Sequence, residues 1–146
     1  NIKKQNESEA KKNLELAENF LDKNKDEVGI NQTKSGLQYK IIKKGVGPNP
    51  NISDKVSVHY IGTLIDGTKF DSSVDRGEPI TFSLEQVIKG WTEGIQLMNT
   101  GSQFIFYIHP NLAYGPRARP SIPGNSLLVF NVELIEINPN QDSQLD

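Results

Sequence analysis

Asp71 directly follows Phe70, and Arg76 stands five residues further on, within reach of pairing with it. Tyr60, Phe70, Phe82, Trp91, Tyr114 and Phe130 all fall near the ends of expected elements. Taken alone, such aromatics are ordinary core residues. Asp71 alters that reading, because a carboxylate at the edge of an aromatic cluster needs partners, and burying it unpaired costs several kcal/mol.

Other chemistries find little support. The chain has no cysteine, so a disulfide framework, a cysteine zinc site and a thiol nucleophile are all excluded. His59 and His109 lie in strand-like segments without a carboxylate or second histidine at ligand spacing, and no metal site is expected. No nucleophile elbow, phosphate-cradling glycine loop or dinucleotide fingerprint occurs; Gly45-Val46-Gly47 runs into Pro48 and reads as a turn. The net charge of -2 is spread over both halves, with no basic stripe for nucleic acid. No apolar run is long enough to span a bilayer, and the start at Asn1 has neither a charged n-region nor an apolar h-region. Since Asn1 is not an initiator methionine, a processed or truncated product is expected, its targeting signal lost upstream.

The elements that must position these side chains follow from periodicity. The 146 residues suit one domain plus an appendage. Residues 1–28 are rich in Lys, Glu and Asn and space Ala10, Leu14, Ala17 and Leu21 as a narrow helical stripe, widened by Leu16 and Phe20. Two readings stand for this helix: a solvent-exposed linker, or part of a longer dimerising or spacing helix. Residues 29–35 read as a connector. Leu37, Tyr39 and Ile41 alternate as a strand, as do Val56, Val58 and Tyr60, which run into the Asp66-Gly67 hairpin signal and return through Phe70.

Ser83 to Gln86 has the form of a capping box, opening a short helix whose one side carries Val87, Trp91, Ile95 and Met98 and which ends near Gly101. Gly90 and Gly94 weaken it by roughly 1 kcal/mol each, so it should lean on a sheet. Residues 103–109 and 127–137 read as strands, separated by a long Pro- and Gly-rich loop at 110–124. The fold class is therefore α+β, an antiparallel sheet with one helix across its face. The main domain is placed at 36–138, and 139–146 is expected to be a disordered tail.

At this point the chain resembles the FKBP family, and within it the bacterial macrophage-infectivity-potentiator (Mip) branch. The resemblance rests on Gly36-Leu-Gln-Tyr39, Val58-His-Tyr60, Gly67-Thr-Lys-Phe-Asp-Ser-Ser73, Asp75-Arg-Gly77, Val87-Ile-Lys-Gly-Trp91, Leu112-Ala-Tyr-Gly115 and Leu128-Val-Phe130, in order over the domain. It implies a sheet wrapped around a short helix and a peptidyl-prolyl cis/trans isomerase that needs no cofactor. Trp91 would floor the prolyl site, and Tyr60, Phe70, Phe82 and Phe130 would wall it. Val87 and Ile88 would line the rim, the Ile88 N–H meeting a substrate carbonyl. Tyr114 would donate to the carbonyl of the susceptible bond, Asp71 would stay near that bond, held by Tyr60 and Arg76, and Ile122 would close the far side.

The chain departs from the family pattern at Ile80, aromatic in some members, at Lys89, where many Mip-type sequences have proline, and in a shorter 119–123 loop. The resemblance further implies proline-containing polypeptides as substrates, inhibition by FK506- or rapamycin-like macrolides, and a periplasmic or cell-surface setting. Residues 1–28 would end a spacer from an upstream dimerisation domain, leaving this chain monomeric and the full-length protein a dimer. A chaperone-like binding module using the same pocket and a purely structural domain are the competing readings.

Overall fold

A computed structural model describes residues 2–139; apart from its first residue, the tail expected at 139–146 lies outside them. Helix α1 spans Ile2–Asn24. Strands follow at β1 (Ile30–Gln32), β2 (Gln38–Lys43), β3 (Lys55–Thr63) and β4 (Lys69–Ser72). After the short helix α2 (Ser73–Arg76) come β5 (Ile80–Ser83), helix α3 (Lys89–Ile95), β6 (Gln103–Ile108) and β7 (Leu128–Ile137). The sheet runs β1-β2-β6-β7-β3-β4, with β5 also pairing β3, and every pairing is antiparallel.

Alternation explains the core. Phe104, Phe106 and Ile108 of β6 and Leu128, Phe130, Val132 and Leu134 of β7 point to one buried face. Helix α3 lies across that face. A Cβ on Gly94 would stand 2.6 Å from Phe106 Cε1, and one on Gly90 would stand 2.7 Å from Ile108 Cγ2, so these glycines allow backbone and sheet to approach. What weakens the helix locally is thus a condition of its packing.

Three sequence expectations need correction. The segment from Ser83 to Gln86 caps a 3-10 turn at Leu84–Gln86 rather than the main helix, and Ile88, in extended conformation, precedes α3. Val87 is therefore outside the helix, and Met98, though fully buried, lies beyond its end. The 29–35 connector contains β1, which pairs with β2. Strand β5 also went unforeseen; Pro79 and the capping-box pattern on either side obscure its four alternating residues.

Helix α1 ends at Asn24 and is not simply a solvated linker. Ala17 and Leu21 pack with Leu127, flanked by Phe20, Tyr107 and Val129, on the second face of β6 and β7. Gln38 Nε2 donates to Leu21 O at 2.8 Å, Asn13 Nδ2 to Gly124 O at 3.0 Å and Asn125 Nδ2 to Ala10 O at 3.1 Å. The narrow stripe is wide enough because the surface it meets is only two strands and one loop across.

Candidate active site

The β3–β4 hairpin brings Tyr60, Phe70 and Asp71 together. Leu64 N–H donates to Thr68 O at 2.9 Å and Gly67 N–H to Leu64 O at 3.0 Å; of the two turn residues only Gly67 takes a positive φ, 89°. Register then sets Gly62 opposite Asp71 on one side and Phe130 on the other. A Cβ at Gly62 would lie 2.7 Å from both the Phe70 and Phe130 rings, so the bare backbone there lets the two aromatics close over the strand.

Helix α2 carries Arg76 back toward Asp71. Ser72 caps it, accepting from Asp75 N–H at 3.0 Å, and Gly77 ends it in the left-handed region. The buried Ser73 hydroxyl ties α2 to β3 by accepting from Tyr60 N–H at 2.7 Å. Arg76 Nη1 then reaches Asp71 Oδ1 at 2.5 Å and Nη2 reaches the Tyr60 hydroxyl at 3.1 Å, while that hydroxyl donates to Asp71 Oδ2.

Burial raises the Tyr60 hydroxyl above its ordinary value, and the bond to Asp71 adds to it. Burial alone would raise Asp71 as well, but the hydrogen bonds from Tyr60 and Arg76 and the guanidinium charge outweigh it and hold the carboxyl below the usual range. At neutral pH, then, Asp71 is ionised and Tyr60 is neutral. A carboxylate so fully engaged is a poor base and a good fixed charge.

Between this network and α3 opens a cavity of about 490 Å³. Trp91, 5% exposed, packs edge-on against Tyr60 and Phe130 at centroid distances of 5.1 and 5.0 Å. Phe70 meets Phe130 at 5.4 Å, nearly perpendicular. Tyr60, Phe70, Asp71, Val87, Ile88, Trp91, Tyr114 and Phe130 all line the cavity. Phe82 stands behind Trp91 at 5.2 Å, and Ile122 belongs to the adjoining core cluster; neither is on the lining, and Arg76 acts on it only through Asp71 and Tyr60.

Two lining residues carry a donor without a partner. The Ile88 N–H has no acceptor among the described residues, because Ile88 is the extended residue whose carbonyl starts α3. The Tyr114 hydroxyl likewise has no hydrogen-bond partner there. Trp91 Nε1 is a different case, buried without a partner.

Sequence reading missed Gln86, Ala113 and Arg119 on the lining, while Ile80 entered only as a departure. Ala113 adjoins Tyr114 and could have been inferred from it; Arg119 depends on the loop path and could not. No group of three His, Cys, Asp or Glu among the described residues could hold a metal. The arrangement can enclose an uncharged ring, hold carbonyls and place one negative charge beside them.

The model of the FKBP-type peptidyl-prolyl cis-trans isomerase domain matches residues 47–135. The chain belongs to this family. A second model, for the domain amino-terminal to FKBP-type isomerases, matches residues 1–41. An FKBP-type isomerase of Aeromonas hydrophila named FkpA is 54% identical over 131 residues, 90% of this chain and 49% of that protein. The isomerase Mip of Coxiella burnetii is 44% identical over 126 residues, 86% of this chain and 55% of that protein. The crystal structure of FkpA from Escherichia coli superposes with a TM-score of 0.90 at 42% identity, covering 94% of this chain and 64% of that one. The chain thus spans about half the length of the curated relatives it matches. The α+β architecture expected from the FKBP resemblance, a helix preceding an antiparallel sheet that carries a short helix on its face, is the one observed.

Proposed function

We propose that the cavity accelerates rotation about X-Pro bonds in polypeptide substrates. The observation that carries this reading is an aromatic cavity floored by Trp91 whose lining holds together a residue with a free backbone N–H, Ile88, the unpartnered Tyr114 phenol and a carboxylate held by Tyr60 and Arg76.

The planar X-Pro amide resists rotation by about 18–20 kcal/mol because resonance gives it double-bond character, and exchange in water takes tens to hundreds of seconds. Twisting the bond removes that resonance and with it much of the charge separation that water solvates. A dry aromatic site over Trp91 favours the twisted form over the planar one, and the rate gain is differential binding with no covalent step. Tyr114 holds the carbonyl of the susceptible bond, the Ile88 N–H holds a neighbouring substrate carbonyl, and Asp71 sits beside the bond. Phe70 and Phe130 wall the ring; Val87 edges it; Phe82 backs Trp91 and Ile122 secures the loop side.

A peptide exchange assay tests this. The chain should speed cis/trans exchange of a short proline peptide, and Tyr114→Phe and Asp71→Leu should each slow it. Equal rates in parent and variants would remove these roles.

The same cavity is proposed to bind FK506- or rapamycin-like macrolides, which present a proline-like ring and carbonyls to the same donors. The reading of residues 1–28 as the end of a spacer, with the isomerase domain at 36–138 and a dimer in the whole protein, is supported by the amino-terminal family match and by relatives about twice as long. Light scattering on the whole protein and on this chain tests it, a monomer being expected for the chain alone. The periplasmic or cell-surface setting rests on the family resemblance, and fractionation of cells expressing the whole protein would test it.

A further inference from the structure

The cavity holds a second charged side chain besides Asp71. The Arg119 guanidinium carbon lies 4.4 Å from the centre of the Tyr114 ring, stacked on its face. Its backbone is anchored: Arg119 N–H donates to Ile122 O at 2.8 Å and Ile122 N–H to Arg119 O at 2.9 Å, closing a turn through Pro120 and Ser121, whose φ is 67°. That is the geometry of a type II turn, with proline at its first corner and a left-handed residue at its second. Ile122, 9% exposed, pins the turn to the core.

The charges at the cavity do not balance. Asp71 is paired with Arg76, so its charge is spoken for. Arg119 has no carboxylate within ion-pair distance among the described residues. Lys89, Glu85 and Glu93 line a separate groove beyond Val87, and Arg117 faces α1 with Glu7 and Glu9. Arg119 is thus the uncompensated cation of the lining.

We propose that Arg119 is a specificity-determining residue that selects substrates with a carboxylate side chain, Asp or Glu, immediately before proline. The inference rests on the proposed function, in which Tyr114 holds the carbonyl of the residue before proline; a guanidinium lying on the Tyr114 ring is then beside that residue's side chain. A guanidinium offers a planar fork matched to a carboxylate, and its stacking on Tyr114 orients it before substrate arrives. The site rejects a basic residue there by the same charge.

The test compares peptides alike except for Glu, Gln or Lys before proline. In the parent, kcat/KM for exchange should favour Glu over Gln by about 2- to 5-fold at low ionic strength, the range of one screened ion pair, and the ratio should shrink as salt is added. Arg119→Gln should bring the ratio to one, and Arg119→Glu should turn the preference toward the Lys peptide. A Glu-to-Gln ratio that is the same in the parent and in Arg119→Gln overturns the proposal. If no peptide is accelerated, the isomerase reading fails on its own, and Kd values for the same peptides from Trp91 fluorescence decide on Arg119: a Glu preference abolished by Arg119→Gln upholds selection by charge, and equal Kd values overturn it.

Discussion

The Tyr60 hydroxyl donates to Asp71 Oδ2 and accepts from Arg76 Nη2 at 3.1 Å, so one phenol sits between the members of an ion pair. Replacing Tyr60 with Phe leaves the packing against Trp91 and removes the donor that fixes the carboxylate. A net hydrogen bond of about 1 kcal/mol sets the scale. Peptide exchange in Tyr60→Phe should fall by roughly 3- to 10-fold in kcat/KM, with the urea midpoint lowered by what about 1 kcal/mol of stability represents. An undiminished rate would show that Arg76 and the Ser72 N–H, which donates to Asp71 Oδ1 at 2.9 Å, suffice to hold Asp71.

The acid limb of stability follows from Asp71. Its carboxyl is held below the ordinary value in the folded chain, so the unfolded chain binds the proton more readily as pH falls. The ionised group stabilises the fold above the unfolded value of about 4, and this contribution is lost as pH drops through the lower folded value. In Asp71→Asn that loss cannot occur. Urea midpoints of parent and variant should therefore converge on acidification below about pH 4, and a constant separation would contradict the assignment.

Helix propensity alone says that alanine at Gly90 or Gly94 should stabilise α3 by about 1 kcal/mol. Contact geometry says otherwise, since each Cβ would press on Ile108 or Phe106 at under 3 Å. Gly94→Ala and Gly90→Ala are expected to destabilise by roughly 1–3 kcal/mol, because overpacking shifts helix or strand. Chemical denaturation of each variant gives the sign directly.

Trp91 is the only tryptophan of the chain and floors the cavity, which makes intrinsic fluorescence a reporter of occupancy. An FK506-like macrolide at micromolar concentration should change the emission of the parent, and Tyr114→Phe should shift the titration to higher ligand. Emission that does not respond would remove the macrolide from the ligands of this site.

What could be read from the sequence was whatever depends on neighbours along the chain. The alternation of Val56, Val58 and Tyr60, the Asp66-Gly67 turn and the buried faces of β6 and β7 all follow from period and turn chemistry. Strand β1 is three residues long, too short to show a period, and β5 exists because β3 offers its edge to Val56 and Val58 partners. The site divides in the same way. Asp71, Trp91 and Tyr114 lie in segments whose residue order resembles one family, whereas Arg119 reaches the lining only through a turn that Ser121 closes with a positive φ. The docking of α1 was hidden for a similar reason: four small or aliphatic residues look like too little surface until Leu127, Tyr107 and Val129 are placed beneath them.

The clasp between α1 and the 110–124 loop also has a mechanical meaning. A helix of 23 residues is a rod about 34 Å long. It lies along the domain with Ala10 and Asn13 tied to Asn125 and Gly124 at the end of the loop, and Glu18 meets His109 at 3.2 Å at its start. These bonds stand beside the direct seat of the helix on the sheet, where Ala17 and Leu21 pack on Leu127 and Leu21 O accepts from Gln38. The segment bearing Tyr114 and Arg119 is thus held near both of its ends against one rigid element, and α1 serves it as a splint.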